Sequence, residues 1–265
     1  MRRACLLAMA TVMLVSTAAW ADLVLSGTTT VKAQGFGNIY NVLTLHDQNT
    51  ETGAVAPSNA NTTTGYTGGT AITSFGTCGS GGPPLGNATE CGAIANTSTI
   101  QDLADLGLQN ASEFGVLLNN AQNSSEFLVP NPQGGVIFEV NLYNADGSVA
   151  ATFACLTSTC NYPATGLAPA GQGQGGAGYL FTLTSTEQAE LNMILCGSAT
   201  CGSSALAAGT IFVGGAGSFT NANGGPDDIS IARITGPITT TPEPASLALF
   251  GGGFLALAGL LRRRK

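Results

Sequence analysis

Charged side chains are scarce in this chain of 265 residues, where they make up 9% of the sequence. Globular domains usually contain about a quarter. Basic residues are nearly absent between the two ends: Lys32 and Arg233 stand against 14 Asp and Glu residues in positions 22–241. A body this acidic repels phosphates, so the sequence predicts no nucleic-acid partner. The acidity favours solubility outside the cell, with cation binding as the alternative.

Histidine and tryptophan are each present once. A histidine-dependent catalytic triad could use only His46, which lies beside Asp47. The sequence contains no G-x-S-x-G motif that would support such a triad. His46 is therefore interpreted as a surface or loop residue. The single tryptophan, Trp20, lies in the N-terminal segment, which leaves Phe and Tyr as stacking platforms for sugars. Glycosidases need two carboxylates across a cleft, and nothing marks such a pair. The sequence predicts neither catalytic residues nor a cofactor.

Glycine is abundant, with 37 residues, and Ser, Thr, Asn and Ala replace the long charged residues of helical surfaces. Because glycine is so abundant, a G-x-G-x-x-G string is expected by chance. The one at 171–176 is therefore interpreted as part of a glycine-rich loop. Residues 22–235 are predicted to form one exported domain, mainly β, an antiparallel β-sandwich or jelly roll. The predicted strands are 23–31, 39–45, 135–143, 148–156, 179–183, 210–213 and 229–234.

Two short helices are predicted within this domain, at 98–108 and from 185 to about 195. Each begins with a capping-box pattern, Ser-Thr-Ile-Gln at 98–101 and Ser-Thr-Glu-Gln at 185–188. Residues 49–92 are predicted to be a polar surface excursion, and 113–120 are ambiguous between strand and helix.

The N-terminus has the pattern of a signal peptide. Arg2 and Arg3 precede 12 apolar residues, 4–15, too few to span a bilayer comfortably. Ala19 and Ala21 flank Trp20 in a small-x-small cleavage pattern. We therefore expect export by the Sec machinery and removal of residues 1–21 by signal peptidase. An uncleaved membrane anchor is the alternative.

Six cysteines remain beyond the signal peptide. An even number in an exported chain predicts disulfides, although six cysteines allow 15 pairings. Nearness in sequence favours three pairs, two of them with C-x4-C spacing. A zinc site is the weaker alternative, because zinc knuckles are usually C-x2-C and often include His. The favoured pairs are Cys78–Cys91, Cys155–Cys160 and Cys196–Cys201.

Two acidic segments faintly resemble calcium loops. Asp227 and Asp228 follow Gly-Gly-Pro, and Asn144, Asp146 and Gly147 lie between two predicted strands. The full ligand spacing is absent from both. Turn chemistry explains both segments better, so no metal site is predicted.

The C-terminus combines a Pro-Glu-Pro triplet, an apolar run and a basic cluster. The apolar run, 245–261, has 17 residues and three central glycines. As a helix it would reach about 26 Å, slightly less than a bilayer core. A basic cluster stays on the cytoplasmic side. The sequence predicts a temporary transmembrane helix in the inner membrane after a linker at 236–241. The triplet is Pro242, Glu243 and Pro244, and the basic residues are Arg262, Arg263, Arg264 and Lys265.

Residues 241–265 resemble the PEP-CTERM sorting signal of Gram-negative bacteria. The resemblance implies recognition by an exosortase, cleavage at or near the Pro-Glu-Pro triplet, and transfer of the body to the cell surface or extracellular matrix. It also implies an organism that makes exopolysaccharide and forms biofilms or flocs. We expect a non-enzymatic surface or matrix protein associated with exopolysaccharide. A secreted polysaccharide hydrolase, a carbohydrate-binding module and a display module without a ligand remain alternatives.

Overall fold

A computed structural model describes ten stretches of the chain, which hold thirteen strands and one α-helix. The described residues are 21–30, 36–47, 49–60, 78–80, 88–92, 101–119, 128–162, 177–201, 211–222 and 225–236. The strands are β1 Ala21–Thr30, β2 Phe36–Leu45, β3 Asn49–Pro57, β4 Cys78–Ser80, β5 Ala88–Gly92, β6 Gln101–Asp102, β7 Phe114–Asn119, β8 Val129–Pro130, β9 Val136–Asn144, β10 Val149–Leu156, β11 Ala177–Leu183, β12 Ile211–Ala222 and β13 Asp227–Ile234. The helix, α1, is Ser185–Cys196.

The strands form two sheets joined through β1. Sheet I has the order β2-β13-β7-β11-β1, and sheet II has the order β10-β9-β12-β3-β5-β4. The short strands β6 and β8 pair with β12. The first residues of β1 pair with β10 in parallel, and every other pairing between described strands is antiparallel. The expectation of a mainly β, antiparallel domain is confirmed.

Aromatic rings from both sheets meet in the core. Phe138 of β9 lies edge-on to Phe181 of β11, with ring centroids 4.8 Å apart. Phe153 of β10 faces Phe114 of β7 at 5.7 Å. All four rings are at most 1% exposed. Because these rings come from opposite sheets, the two sheets pack face to face around one hydrophobic core.

The helix predictions are half right. Helix α1 forms as expected and ends at Gly197, which adopts a left-handed conformation. Its N-cap, however, is Thr184 rather than Ser185, and the Gln188 amide donates to the Leu183 carbonyl. The helix predicted at 98–108 is wrong over its described part. There the chain forms β6 and a 3₁₀ turn, Leu103–Leu106, capped by Asp102 and closed by left-handed Gly107. Its proposed capping-box start, 98–100, lies outside the described residues.

The surface excursion predicted at 49–92 is wrong over most of β3, although residues 49, 50, 58, 59 and 92 are exposed. Strand β3 is paired on both sides, by β12 and β5, and its residues 53–57 are buried. The ambiguous segment 113–120 contains β7, preceded by a 3₁₀ turn at Ala111–Glu113. Strand β12 continues nine residues beyond its predicted end at 213. Strands β3 and β12 contain many small residues, which give little hydrophobic periodicity to read.

The transmembrane helix predicted at 245–261 lies outside the described residues. Within them, no helix is long and apolar enough to cross a membrane.

Candidate functional site

Two carboxyl groups, those of Glu51 and Asp227, are buried together at one end of the sandwich. Glu51 lies in β3 of sheet II, and Asp227 is the first residue of β13 in sheet I. Each is 1% exposed. The negative charge of Asp227 acts on Glu51, and the Asp47 backbone N–H donates to Glu51 Oε1 at 3.3 Å. Among the described residues, Glu51 Oε2 has no hydrogen-bond partner. The pair therefore connects the two sheets beside the segment that joins β2 to β3.

Electrostatics at this pair favour a bound proton. Burial raises the pKa of Glu51 to about 10, and the negative charges of Asp227 and Asp47 add to the effect. The N–H of Asp47 opposes it by hydrogen-bonding the carboxylate. Burial and Asp227 also raise the pKa of Tyr162 well above its ordinary value. Burial and the neighbouring acidic side chains therefore both favour the protonated form of Glu51.

Tyr162 closes this end of the core. Its hydroxyl donates to the Leu128 carbonyl at 3.1 Å, and its ring lies 6.4 Å from that of Phe219. Phe219 is directly opposite Glu51 in the ladder between β12 and β3. The carboxyl pair consequently lies against aromatic surface rather than in water.

Asp228 belongs to a separate polar cluster on the other face of sheet I. Its carboxylate accepts from Thr44 Oγ1 at 2.6 Å, from Asn41 Nδ2 at 3.2 Å and from Asn119 Nδ2 at 3.4 Å. Consecutive strand residues point to opposite faces. Asp227 and Asp228 therefore cannot bind one ion together, and they lie in a strand, so turn chemistry was the wrong explanation for them.

The second segment that resembles a calcium loop is a hairpin turn, as predicted. Asp146 Oδ1 accepts from the Ser148 N–H and hydroxyl, which lowers the pKa of Asp146. Gly147 takes a left-handed conformation and donates to the Asn144 carbonyl. His46 is exposed just beyond β2. Over the described stretches, no three His, Cys, Asp or Glu side chains are arranged to hold a metal ion.

The two pairs with C-x4-C spacing form as predicted. The structure contains the disulfides Cys155–Cys160 and Cys196–Cys201. Cys91 is also disulfide-bonded, and Cys78 is its direct neighbour in the antiparallel β4–β5 ladder. The first disulfide is buried in the core, and the second joins Cys196, the last residue of α1, to Cys201.

Most residues of the two predicted signals fall outside the described part of the chain. These are Ala19, Pro242, Glu243, Pro244, Arg262, Arg263, Arg264 and Lys265. Ala21, at the predicted cleavage site, is the first residue of β1. The string at 171–176 also lies outside.

The Glu51–Asp227 pair is the feature that sequence reasoning missed. The two residues are 176 positions apart, and Glu51 lies in a stretch interpreted as surface. One signal was available: Glu51 precedes the small, apolar segment Gly-Ala-Val-Ala at 53–56, which now proves to be a buried strand.

Comparison with known families identifies only the C-terminal segment. Residues 240–265 match the family model described as the PEP-CTERM protein-sorting motif. This match confirms the resemblance seen in the sequence. No curated protein and no solved structure matches the chain. The matched segment indicates an exported protein that is sorted by an exosortase.

Proposed function

We propose that this chain is a non-enzymatic surface or extracellular-matrix protein associated with exopolysaccharide. It is exported by the Sec machinery and held transiently in the inner membrane by residues 245–261. The exosortase then cleaves at or near Pro242-Glu243-Pro244 and passes the β-sandwich to the cell surface or matrix. In this proposal the triplet is a substrate for another enzyme.

The observation that carries the proposal is the match at residues 240–265. Strand β13 ends at Ile234, so the sorting segment follows the last described strand after a linker of only a few residues. Disulfides persist in oxidising compartments, and those at Cys155–Cys160 and Cys196–Cys201 agree with a life outside the cytoplasm.

The buried carboxyl pair is not the catalytic pair that the alternative, a polysaccharide hydrolase, would need. A glycosidase needs one carboxylate and one carboxylic acid on either side of the scissile bond, both in reach of substrate. Glu51 and Asp227 are each 1% exposed, so neither carboxyl group is in reach of a substrate.

The sorting proposal is tested by following a tagged chain in cells with and without exosortase. With the enzyme, we expect a shortened product in the extracellular fraction. Without it, the full-length chain should stay in the membrane fraction. The variant Glu243→Gln in cells with exosortase should behave like the wild type without it. Its matched control is Glu190→Gln, an exposed residue of α1, which should be processed normally. Equal release with and without the enzyme would contradict the proposal.

The role of the body is tested with purified exopolysaccharide. We expect the processed chain to co-sediment with the polymer and to release no new reducing ends from it. The measurement is made with and without calcium, because the acidic body could bind polymer through bridging cations. Binding that is absent under both conditions would remove the exopolysaccharide association. Release of reducing ends that is lost in a Glu51→Gln variant would instead support the hydrolase.

A further inference from the structure

A row of polar side chains crosses the face of sheet I that points away from the core. Asp228 of β13 lies directly opposite Thr44 of β2 on one side and Asn119 of β7 on the other. Opposite residues in an antiparallel pair have Cβ atoms about 5 Å apart. Asn41 of β2 also contacts the carboxylate. We call these four residues the Asp228 cluster, and three strands hold it in place.

The polar atoms of the cluster are spaced like the ligands of a calcium ion. Asp228 Oδ1 lies 2.6 Å from Thr44 Oγ1 and 3.2 Å from Asn41 Nδ2. Asp228 Oδ2 lies 3.4 Å from Asn119 Nδ2. Neighbouring oxygen ligands of a calcium ion, each about 2.4 Å from the metal, lie about 3 Å from one another. The cluster therefore has the dimensions of one side of a calcium coordination shell.

One buried oxygen in the cluster has no partner among the described residues. Asn119 is 8% exposed, and its Oδ1 accepts no hydrogen bond. Buried polar atoms are usually paired, and an unpaired one costs stability. Asn192, which is also 8% exposed, shows the usual condition, because its Oδ1 accepts from the Ala111 N–H and its Nδ2 donates to the Ala199 carbonyl. Asn119 therefore has a free acceptor beside the Asp228 carboxylate.

Turning over the Asn119 amide does not give this oxygen a partner. The oxygen and nitrogen of an asparagine amide occupy nearly the same space, and either can face a neighbour. After the turn, Oδ1 would face Asp228 Oδ2 at the 3.4 Å that now separates the nitrogen from it. Two oxygens so close repel one another unless a cation lies between them. A cation would thus satisfy the amide oxygen and the carboxylate together.

No basic side chain within the described stretches neutralises Asp228. Arg233 is the one Lys or Arg there, and it pairs with Glu113. The hydrogen-bond partners of Asp228 are neutral, a hydroxyl and two amides. Asn41 is exposed and Asp228 is half-buried, so an ion can reach the carboxylate from solvent. The cluster therefore offers a positive ion one full negative charge and several neutral oxygens.

We propose that the Asp228 cluster is a calcium site. Asp228 supplies the carboxylate, and Asn119 Oδ1 and Thr44 Oγ1 bind as neutral oxygens. Asn41 adds its amide oxygen by turning over, and water fills the positions that face solvent. Carboxylates, amide oxygens and water are the ligands that calcium prefers in proteins. The site is independent of the sorting signal and of the association with exopolysaccharide.

The composition of the cluster sets the expected affinity and selectivity. With a single carboxylate the site should be weak, with a Kd on the order of 0.1–1 mM, as in extracellular calcium modules. Calcium accepts about six to eight oxygens in irregular arrangements, whereas magnesium demands a regular octahedron and gives up its water reluctantly. We therefore expect magnesium to bind at least about tenfold more weakly. A bound ion would also stabilise the pairing of β2, β13 and β7.

Isothermal titration of the full-length chain in detergent with calcium chloride tests the site. Asp228→Asn keeps the size of the side chain but removes its charge, and it should weaken calcium binding at least about tenfold. The matched control is Asp146→Asn, which removes an exposed carboxylate from the hairpin turn that resembles a calcium loop, and it should keep the wild-type affinity. Unchanged affinity in Asp228→Asn, or no binding by the wild type up to about 10 mM calcium, would overturn the proposal.

Asn119→Asp separates a metal ligand from a residue that only forms hydrogen bonds. The change places a second carboxylate directly opposite Asp228. Without calcium the two charges repel, so the variant should unfold at lower urea concentration than the wild type. With calcium it should regain its stability and bind the ion at least about tenfold more tightly than the wild type. Destabilisation that calcium does not reverse would contradict the assignment of Asn119 as a ligand.

The wild type alone gives a local readout in case the variants fail to fold. Calcium should shift the side-chain amide NMR signals of Asn119 and Asn41. The signals of Asn192 should stay in place, because both of its amide atoms have protein partners. An Asn119 signal that does not move as calcium is added would show that the ion does not bind in the Asp228 cluster.

Discussion

The side chain of Asn192 accepts a hydrogen bond of 2.8 Å from the backbone N–H of Ala111, which lies 81 residues earlier in the chain. Its amide nitrogen donates to the Ala199 carbonyl at 2.9 Å. Asn192 is 8% exposed, and Ala111 is fully buried. One side chain thus connects α1 to the 3₁₀ turn before β7 and to the loop of the Cys196–Cys201 disulfide.

Replacing Asn192 should destabilise the domain. In Asn192→Leu the buried N–H of Ala111 loses its acceptor, and an unsatisfied buried donor costs about 1–3 kcal/mol. We expect a loss of about 2 kcal/mol in the free energy of unfolding, measured by urea denaturation. Met193→Ala is the control on the same helix. Because Met193 is 54% exposed, its replacement should change stability by less than about 0.5 kcal/mol. Equal effects of the two changes would contradict this account.

The two described disulfides offer a comparison at constant loop length. Both join cysteines five positions apart, so their removal relaxes similar constraints on the unfolded chain, worth about 2 kcal/mol each. Cys155 and Cys160 are fully buried, whereas Cys196 is exposed. Replacing the buried pair by alanine also leaves a cavity.

We therefore expect the double variant Cys155→Ala/Cys160→Ala to lose about 1–3 kcal/mol more than Cys196→Ala/Cys201→Ala. Urea denaturation of both double variants measures the difference. A larger loss at the exposed pair would show that burial is not what distinguishes the two bridges.

The sequence predicted the strands that carry large alternating side chains and missed those made of small ones. Strands β9 and β10 were predicted nearly to their bounds, because Phe138, Val140 and Leu142 alternate with other residues. The strand predicted for β12 ended too early, just before the glycines at 214 and 215. A Cβ on Gly214 would lie 2.4 Å from the Val55 carbonyl oxygen, and one on Gly215 would lie 2.9 Å from that of Glu139. Contacts with neighbouring strands require these glycines, and a single sequence does not reveal such contacts.

The same limit applies to the functional features. The sorting signal is contiguous, and its motif order could be recognised directly in residues 241–265. The disulfide pairs were suggested by short spacing. The Glu51–Asp227 pair depends on two strands in different sheets that meet only after folding. The small, apolar segment at 53–56 is the one local signal that distinguishes Glu51 from the other acidic residues of the body.

Arg233 and Glu113 form an ion pair that joins β13 to the 3₁₀ turn before β7. Arg233 Nε lies 2.9 Å from Glu113 Oε2, and the same oxygen accepts from the Gln109 N–H. Their side chains are 24% and 18% exposed, so solvent screens the pair only in part. We expect a coupling energy of about 1 kcal/mol from a double-mutant cycle with Arg233→Met and Glu113→Gln. The cycle is measured by urea denaturation, and a coupling of zero would show that the contact contributes nothing to stability.

Gly147 and Gly135 test how closely the β9–β10 turn packs on the end of β3. Both have positive φ, +84° and +91°, so alanine is strained by about 1–2 kcal/mol at either position. At Gly147 the added Cβ would also lie 2.5 Å from the Asn59 carbonyl oxygen, whereas at Gly135 it would meet nothing within 4 Å. The Asn59 side-chain amide already donates to the Ala145 carbonyl at 3.1 Å. This hydrogen bond joins the turn after β3 to the β9–β10 turn.

Gly147→Ala should therefore cost about 1–3 kcal/mol more in free energy of unfolding than Gly135→Ala. Both changes strain the backbone, but in Gly147→Ala the turn that contains Asn59 must also move away. Urea denaturation gives the two free energies. Hydrogen exchange adds a local readout, since the amide of Ala60, which donates to the Pro57 carbonyl, should lose protection only in Gly147→Ala. Equal costs, with Ala60 unaffected in both variants, would mean that the turns separate freely and that the contact at Asn59 does not restrain the β9–β10 hairpin.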